Sequence, residues 1–257
     1  MKNSFNAIYL GGPTVILEIE GLRFMSDPTL DPKGTSFKIS EKVAETKLTG
    51  PAIEDPGKID VVLLSHDQHH DNLDDLGKKF LESAVLTLTT KSGTKRLGGK
   101  TAGLAPWEKY VIKTPSGKEI EITATPARHG PAGSEKITGE VIGFLIGIHG
   151  DNAPFIYLTG DTVFYHGIQE VAEKASPDYI FIFAGAARPR GPFNVTMGSN
   201  DAIDTAIAFE KSKIIPLHYE GWSHYTEGGE VLKEAFAILG IEKRLLLLEL
   251  GISTLLK

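Results

Sequence analysis

Between His66 and Asp74 the chain places three histidines (His66, His69, His70) and three aspartates (Asp67, Asp71, Asp74) within nine residues, directly after the apolar run 61–64 and Ser65. Imidazole and carboxylate together bind zinc, manganese or iron, and a strand end would hold such ligands rigidly. The competing reading is a polar loop that leads into a helix, with Asp71 or Asn72 as its N-cap. Three other segments repeat the design. His129 follows the run ending at Ala127, Asp161 follows Leu158, and His218 follows Leu217. Four apolar strands that each end in a ligand-type residue point to one shared site at a sheet rim, and the chemistry such a site performs is activation of water by bound metal.

The rest of the composition narrows the options. With 257 residues and 41% hydrophobic content the chain can bury a large core, and it reads as one domain over 1–257. There is no cysteine, which excludes disulfides, thiolate metal sites and a cysteine nucleophile, leaving histidine and carboxylate as the strong ligands. A net charge of −6 with no long basic run speaks against nucleic acid and anionic membrane as partners. Residues 1–12 lack the long apolar region of an export signal and read as a first strand, so a cytoplasmic protein is expected. The longest aliphatic run, 245–248, is far shorter than the roughly 20 residues of a membrane helix and reads as a late buried strand.

The elements that must position the ligands follow from periodicity and turn residues. Residues 7–10, 15–19 and 23–26 read as a meander, and 28–58, rich in Pro, Gly, Lys and Thr, as an irregular excursion. Further strands are expected at 61–64, 84–89, 119–127, 141–148, 155–158, 179–183 and 213–217, with helices at 73–80, 200–211 and 230–239. Strands dominate early and helices interleave later, which predicts helices packed outside two facing sheets.

On these residues the chain resembles the metallo-β-lactamase fold superfamily, and within it the L-ascorbate-6-phosphate lactonase-like hydrolases. The resemblance covers nearly the whole chain. It rests on Leu10-Gly11-Gly12-Pro13-Thr14-Val15, Asp27-Pro28, Ser65-His66-Asp67 with Asp71, His129, Thr159-Gly160-Asp161-Thr162 and Pro216-Leu217-His218-Tyr219 in that order. It implies an α/β fold, a four-layer αβ/βα sandwich, with a one- or two-metal site of Zn2+ or Mn2+ to which His66, Asp71, His129, Asp161 and His218 contribute. The family motif His-x-His-x-Asp-His is altered here, and two alignments are open. An insertion after Asp67 makes His69 the second histidine, keeps Asp71 as the aspartate and puts Asn72 in place of the last histidine. Without it, Gln68 stands at the second ligand position and Asp71 at the last. The first is preferred because it retains a second imidazole. It implies one metal on His66, His69 and His129, another on Asp71 and His218, and Asp161 bridging.

Under that resemblance two metals roughly 3.5–4 Å apart would polarise the substrate and activate a water, with Asp71 orienting the water and passing its proton to the leaving group. His70 is either a substitute ligand or a residue beside the ligands, Asn72 a weak ligand or a helix cap, and Asp27 a carboxylate that fixes a ligand's tautomer or caps the turn at Pro28. Arg188 and Arg190 on a small-residue loop are candidates for binding a substrate phosphate or carboxylate, and His224 in an aromatic stretch is a candidate substrate contact. His149 and His166 read as surface residues. The expected function is a metal-dependent hydrolase acting on a small, anionic ester, lactone or phosphoester. A phosphodiesterase or nuclease, and a non-catalytic metal-binding or regulatory protein, are the alternatives; homo-oligomerisation is left open.

Overall fold

The structure is a computed structural model and describes residues 4–39, 41, 43–150, 155–189 and 191–257. In chain order, β1 (Phe5–Gly11), β2 (Thr14–Ile19) and β3 (Leu22–Ser26) form the expected antiparallel meander. The excursion that follows contains a small hairpin, β4 (Ser36–Lys38) and β5 (Ala44–Thr46), before β6 (Val61–Leu63) returns to the sheet. Next come α1 (Asp75–Phe80), β7 (Leu86–Thr90), α2 (Lys91–Leu97) and β8 (Thr101–Leu104). The second half runs β9 (Lys109–Lys113), β10 (Glu119–Pro126), α3 (Glu135–Thr138), β11 (Ile142–Ile148), β12 (Ile156–Leu158), α4 (His166–Lys174), β13 (Tyr179–Phe183), α5 (Ser199–Ala208), β14 (Lys213–Leu217) and α6 (Gly229–Ile238). The last strand, β15 (Ser253–Leu256), crosses back to pair with β1.

Two sheets result, ordered β15-β1-β2-β3-β6-β7-β8 and β14-β13-β12-β11-β10-β9. Their facing surfaces bury one core, to which Leu17, Phe24, Leu63, Ile122, Phe144, Leu158, Phe181 and Ile215 belong. Alternate residues of the same strands point outward. Ile180 and Ile182 of β13 pack with Ile168, Val171, Ala202 and Phe236 of α4, α5 and α6, while Ile16, Met25 and Val62 pack with Leu73 and Leu81 around α1. Strands covered on both faces read as continuous apolar runs, which is why β6, β13 and β14 are the clearest in the sequence. The four layers match the αβ/βα expectation.

Strand direction then dictates where the site lies. β12, β13 and β14 are mutually parallel, and β10 points the same way because two antiparallel pairings separate it from β12. In the other sheet β3 and β6 are parallel. The carboxyl ends of β6, β10, β12 and β14 therefore carry His66, His129, Asp161 and His218 to one rim, where ligand-binding loops of open α/β sheets gather.

Two local expectations fail. Residues 245–248 make no strand; a 3-10 turn, Glu242–Arg244, precedes a single bridge of Leu245 to Ile214, with Leu246 N donating to Ile214 O. The next rung would need an N–H from Pro216, which has none, so the ladder stops. The helix after the His/Asp run begins at Asp75, and its cap is Asp74 rather than Asp71 or Asn72. Asp74 Oδ1 accepts from Gly77 N and Leu30 N, both at 2.8 Å, and Oδ2 accepts from Asp31 N (2.7 Å) and from the buried Lys47 Nζ (2.8 Å). One carboxylate thus ties the helix start to residues 30–31 and to the segment that follows β5.

Candidate metal centre

Two histidines at the rim have their tautomers set by neighbours. His129 Nδ1 donates to the Val195 carbonyl at 2.7 Å, which leaves Nε2 as a lone pair. His66 Nδ1 lies 3.0 Å from Ser65 Oγ, and Ser65 sends both its Oγ proton (2.7 Å) and its N–H (2.9 Å) to Asp27 Oδ1. With its proton committed to Asp27, Ser65 Oγ accepts from His66 Nδ1, so His66 also presents an Nε2 lone pair. Both lone pairs converge on His69 Nδ1, at 2.9 and 3.0 Å. A single proton on His69 can serve one of them; a cation can serve all three nitrogens. Asp161 Oδ2 completes the group at 3.5 Å from His129 Nε2 and 3.9 Å from His66 Nε2. These separations bracket the roughly 3.3 Å ligand-to-ligand edge of a tetrahedral zinc with bonds of about 2.0–2.1 Å.

A second group shares Asp161. Its Oδ1 lies 3.4 Å from His218 Nε2, and Asp71 Oδ2 lies 3.2 Å from the same nitrogen. Although fully buried, the His218 ring makes no hydrogen bond through either nitrogen. A buried imidazole set 3.2 and 3.4 Å from two carboxylate oxygens without a well-aligned hydrogen bond to either fits a position meant for a cation. His218 adopts φ 56°, a left-handed conformation rare for a residue with a Cβ, and its N–H is fixed to Gly12 O at 2.6 Å. The ring stacks on Phe183 at 5.3 Å between centroids.

Electrostatics agree with unprotonated imidazoles. Burial, reinforced by neighbouring imidazoles, holds His66 well below its ordinary value and His129 down at about 3. Burial would raise Asp71, but His224 and His218 outweigh it and keep that carboxylate ionised. Asp161 moves the other way, raised well above its ordinary value by burial and by the charges of Asp71 and Asp27. Burial lifts Asp27 to about 8 against the pull of its Ser65 hydrogen bonds.

The structure brings His66, His69, His129, Asp161, Asp71 and His218 together and sorts the remaining candidates. Gln68 is exposed, its amide lying over Gly139. His70 stacks on Phe37 at 3.9 Å between centroids and belongs to neither group. Asn72, oriented with its amide nitrogen towards the carboxylates, donates to Asp161 Oδ2 and Asp71 Oδ1, both at 3.2 Å, so it tethers the two acids and caps no helix. His224 lines the cleft and its Nε2 bonds Asp71 Oδ2 at 2.8 Å. Arg188 is exposed and donates to Asn194 Oδ1 at 2.6 Å, and Arg190 lies outside the described residues. His149 and His166 are on the surface, as expected.

Glu45 was not legible. It lies on β5, and one carboxylate oxygen groups with Asp71 and His224 so that the three ligand atoms lie within 4.8 Å of one another. A three-residue strand within a polar excursion carries no periodic signal. A narrow cleft lined by Ile39, Glu45, His69, Asp71, His129, Ala187, Pro189, Val195 and His224 reaches the two groups.

The model of the beta-lactamase superfamily domain matches residues 23–219, a span that holds every residue of the two groups. This chain belongs to the metallo-β-lactamase superfamily. Among superfamily relatives, protein YddR of Bacillus subtilis is 26% identical over 255 residues, covering 96% of this chain and 98% of YddR. A metal-dependent hydrolase of Carboxydothermus hydrogenoformans is 24% identical, covering 83% of this chain and 84% of its own length. The solved isothiocyanate hydrolase from Delia radicum gut bacteria superposes with a TM-score of 0.80 at 21% identity, covering 97% and 98% of the two chains, and shares the fold.

Two consequences are measurable here. Ser65→Ala removes the partner of His66 Nδ1 and should weaken metal affinity about 10–100-fold, read by competition with a chelator; unchanged affinity would mean His66 needs no orienting partner. In metal-free protein Asp27 titrates near 8, above its ordinary 3.8. A group raised by folding contributes stability at low pH that is lost as pH rises through the folded value. The stability of metal-free wild type relative to Asp27→Asn should therefore fall between about pH 4 and pH 8. Urea unfolding at pH 5 and pH 8 checks the sign, and a constant difference would show an Asp27 that is ionised throughout.

Proposed function

We propose that this chain is a metal-dependent hydrolase with two divalent cations, one held by His66, His69 and His129, the other by Asp71 and His218, with Asp161 between them. The observation that carries the reading is Asp161: one oxygen faces the three-histidine group and the other faces His218. The names of the Carboxydothermus hydrogenoformans relative and of the structural neighbour from Delia radicum gut bacteria, both hydrolases, support the reaction class. Three imidazoles and a carboxylate suit Zn2+, while the more oxygen-rich second position also suits Mn2+.

When bound, the cations would polarise the scissile bond and lower the pKa of a water from 15.7 towards about 7. The chain's own residues do the rest. Asp71, ionised and held at one oxygen by Asn72 and at the other by His224, accepts the proton of the attacking water and returns it to the leaving group. The walls formed by Ile39, Ala187, Pro189 and Val195 enclose the substrate and exclude bulk water. The substrate of this reading is a small ester, lactone or phosphoester. Elemental analysis after growth in zinc and manganese, combined with hydrolysis of a panel of lactones and phosphodiesters, tests the reading. Two metals per chain with turnover of one substrate class are expected; protein that takes up no metal would refute it.

A further inference from the structure

Leu10-Gly11-Gly12-Pro13 contributes no ligand and yet meets the site. Gly12 lies in the turn between β1 and β2 at φ 56°, and a Cβ there would come within 3.2 Å of Trp222 Nε1. Its carbonyl and its N–H are both held by the short segment that begins with His218. Gly12 O accepts from His218 N at 2.6 Å, and Gly12 N donates to Glu220 Oε1 at 3.3 Å. The buried Tyr9 phenol sits 2.9 Å from Glu220 Oε1 and 3.1 Å from Gly12 O. A charged acceptor takes the stronger bond, so the phenol proton goes to Glu220. The Tyr9 ring stacks on Tyr219, with centroids 6.1 Å apart and planes 26° apart. His218, Tyr219 and Glu220 thus all bear on the β1–β2 turn.

We propose that Glu220 is a positioning residue for the second cation: with Tyr9 it fixes the Gly12 backbone, and Gly12 in turn holds His218 in the left-handed conformation that sets Nε2 between Asp71 and Asp161. This rests on the two-cation reading above and adds what keeps one ligand in place. A ligating imidazole is ordinarily oriented through its other ring nitrogen. His66 and His129 follow that rule, with Ser65 Oγ and Val195 O as the partners of Nδ1. His218 does not, since its Nδ1 has no hydrogen-bond partner. Stacking on Phe183 fixes the plane of the ring but not its rotation within that plane. The remaining constraint has to come from the backbone, and a residue with a Cβ keeps φ 56° only where its surroundings impose it. Glu220 itself belongs to neither ligand group, so its effect on the cation passes through Gly12 and His218.

Titration of metal-free protein with Zn2+ against a competing chelator tests this, and His218→Ala marks the step that belongs to the second cation. Glu220→Ala should weaken that step by about 10–100-fold and leave the three-histidine step within about threefold of wild type. Glu220→Gln keeps an oxygen that accepts from Gly12 N and from Tyr9, and it should restore the second step to within about threefold. Tyr9→Phe, which removes the phenol proton, should weaken the same step and spare the other. Equal weakening of both steps in Glu220→Ala, or no weakening, overturns the assignment. So does a Glu220→Gln as weak as Glu220→Ala, because Glu220 would then act by its charge. Should Glu220→Ala fail to fold, Tyr9→Phe decides, and an unchanged second step overturns the assignment. Each of these results leaves the two-cation reading intact when wild type shows two steps; wild type with one step or none overturns both.

Discussion

Asp161→Ala is expected to lower the metal content from two per chain to one or none and to reduce hydrolysis by about 10³-fold or more, a barrier increase of about 4 kcal/mol. Among the described residues Asp161 is the one that belongs to both groups, with Oδ2 at 3.5 Å from His129 Nε2 and Oδ1 at 3.4 Å from His218 Nε2. On the two-metal reading, its loss would remove a ligand from each cation at once. The fold should survive. In metal-free protein Asp161 is raised by burial and by repulsion from Asp71 and Asp27, so near neutral pH its removal relieves repulsion and the metal-free variant should melt no lower than metal-free wild type. Elemental analysis, turnover and melting curves on one preparation separate these effects. Retention of two metals with full turnover would sink the bridging assignment.

Asp74→Ala should cost about 3–5 kcal/mol of stability, read as a shift of the urea midpoint. The variant leaves Lys47 Nζ, now held by Asp74 and by Thr29 O at 2.6 Å, as a buried cation without its counter-charge. Burial already lowers Lys47, and Asp74 is the first group opposing that shift. The variant also strands the N–H groups of Leu30, Asp31 and Gly77. Replacing both partners, as in Lys47→Met with Asp74→Leu, should recover part of the loss, because the cost of breaking such a pair is mainly that of the orphaned charge. A single-variant cost below about 1 kcal/mol would show the pair to be open to water.

What the sequence reveals of the site follows from what its signals encode. Strands buried on both faces, such as β13 with every residue buried, announce themselves as apolar runs, and a ligand just past such a run has a predictable place. His66, His129, Asp161 and His218 are legible for that reason. Edge strand β9 alternates exposed and half-buried residues, and hairpin strands β4 and β5 have three residues each, so neither offers enough pattern. Proximity between distant segments has no local signature at all. Nothing around Glu45 points to Asp71, and nothing around His224 says that it reaches the same carboxylate. Within the cluster, spacing could not choose among Gln68, His69 and His70; the fold separates them, because Gln68 turns to Gly139, His70 meets Phe37, and His69 faces His66 and His129. Asp74, read only as one acid among three, proves to be the cap because its side chain reaches Gly77 N.

The backbone of His218 carries a lesson about selection. At φ 56° a residue with a Cβ stores about 1–3 kcal/mol that glycine would not. The side chain returns no hydrogen bond for that outlay. If a cation binds there, that strain is a trade-off in which stability is surrendered at one position to keep a ligand poised, and glycine at 218 should give a metal-free protein at least as stable, less the stacking on Phe183.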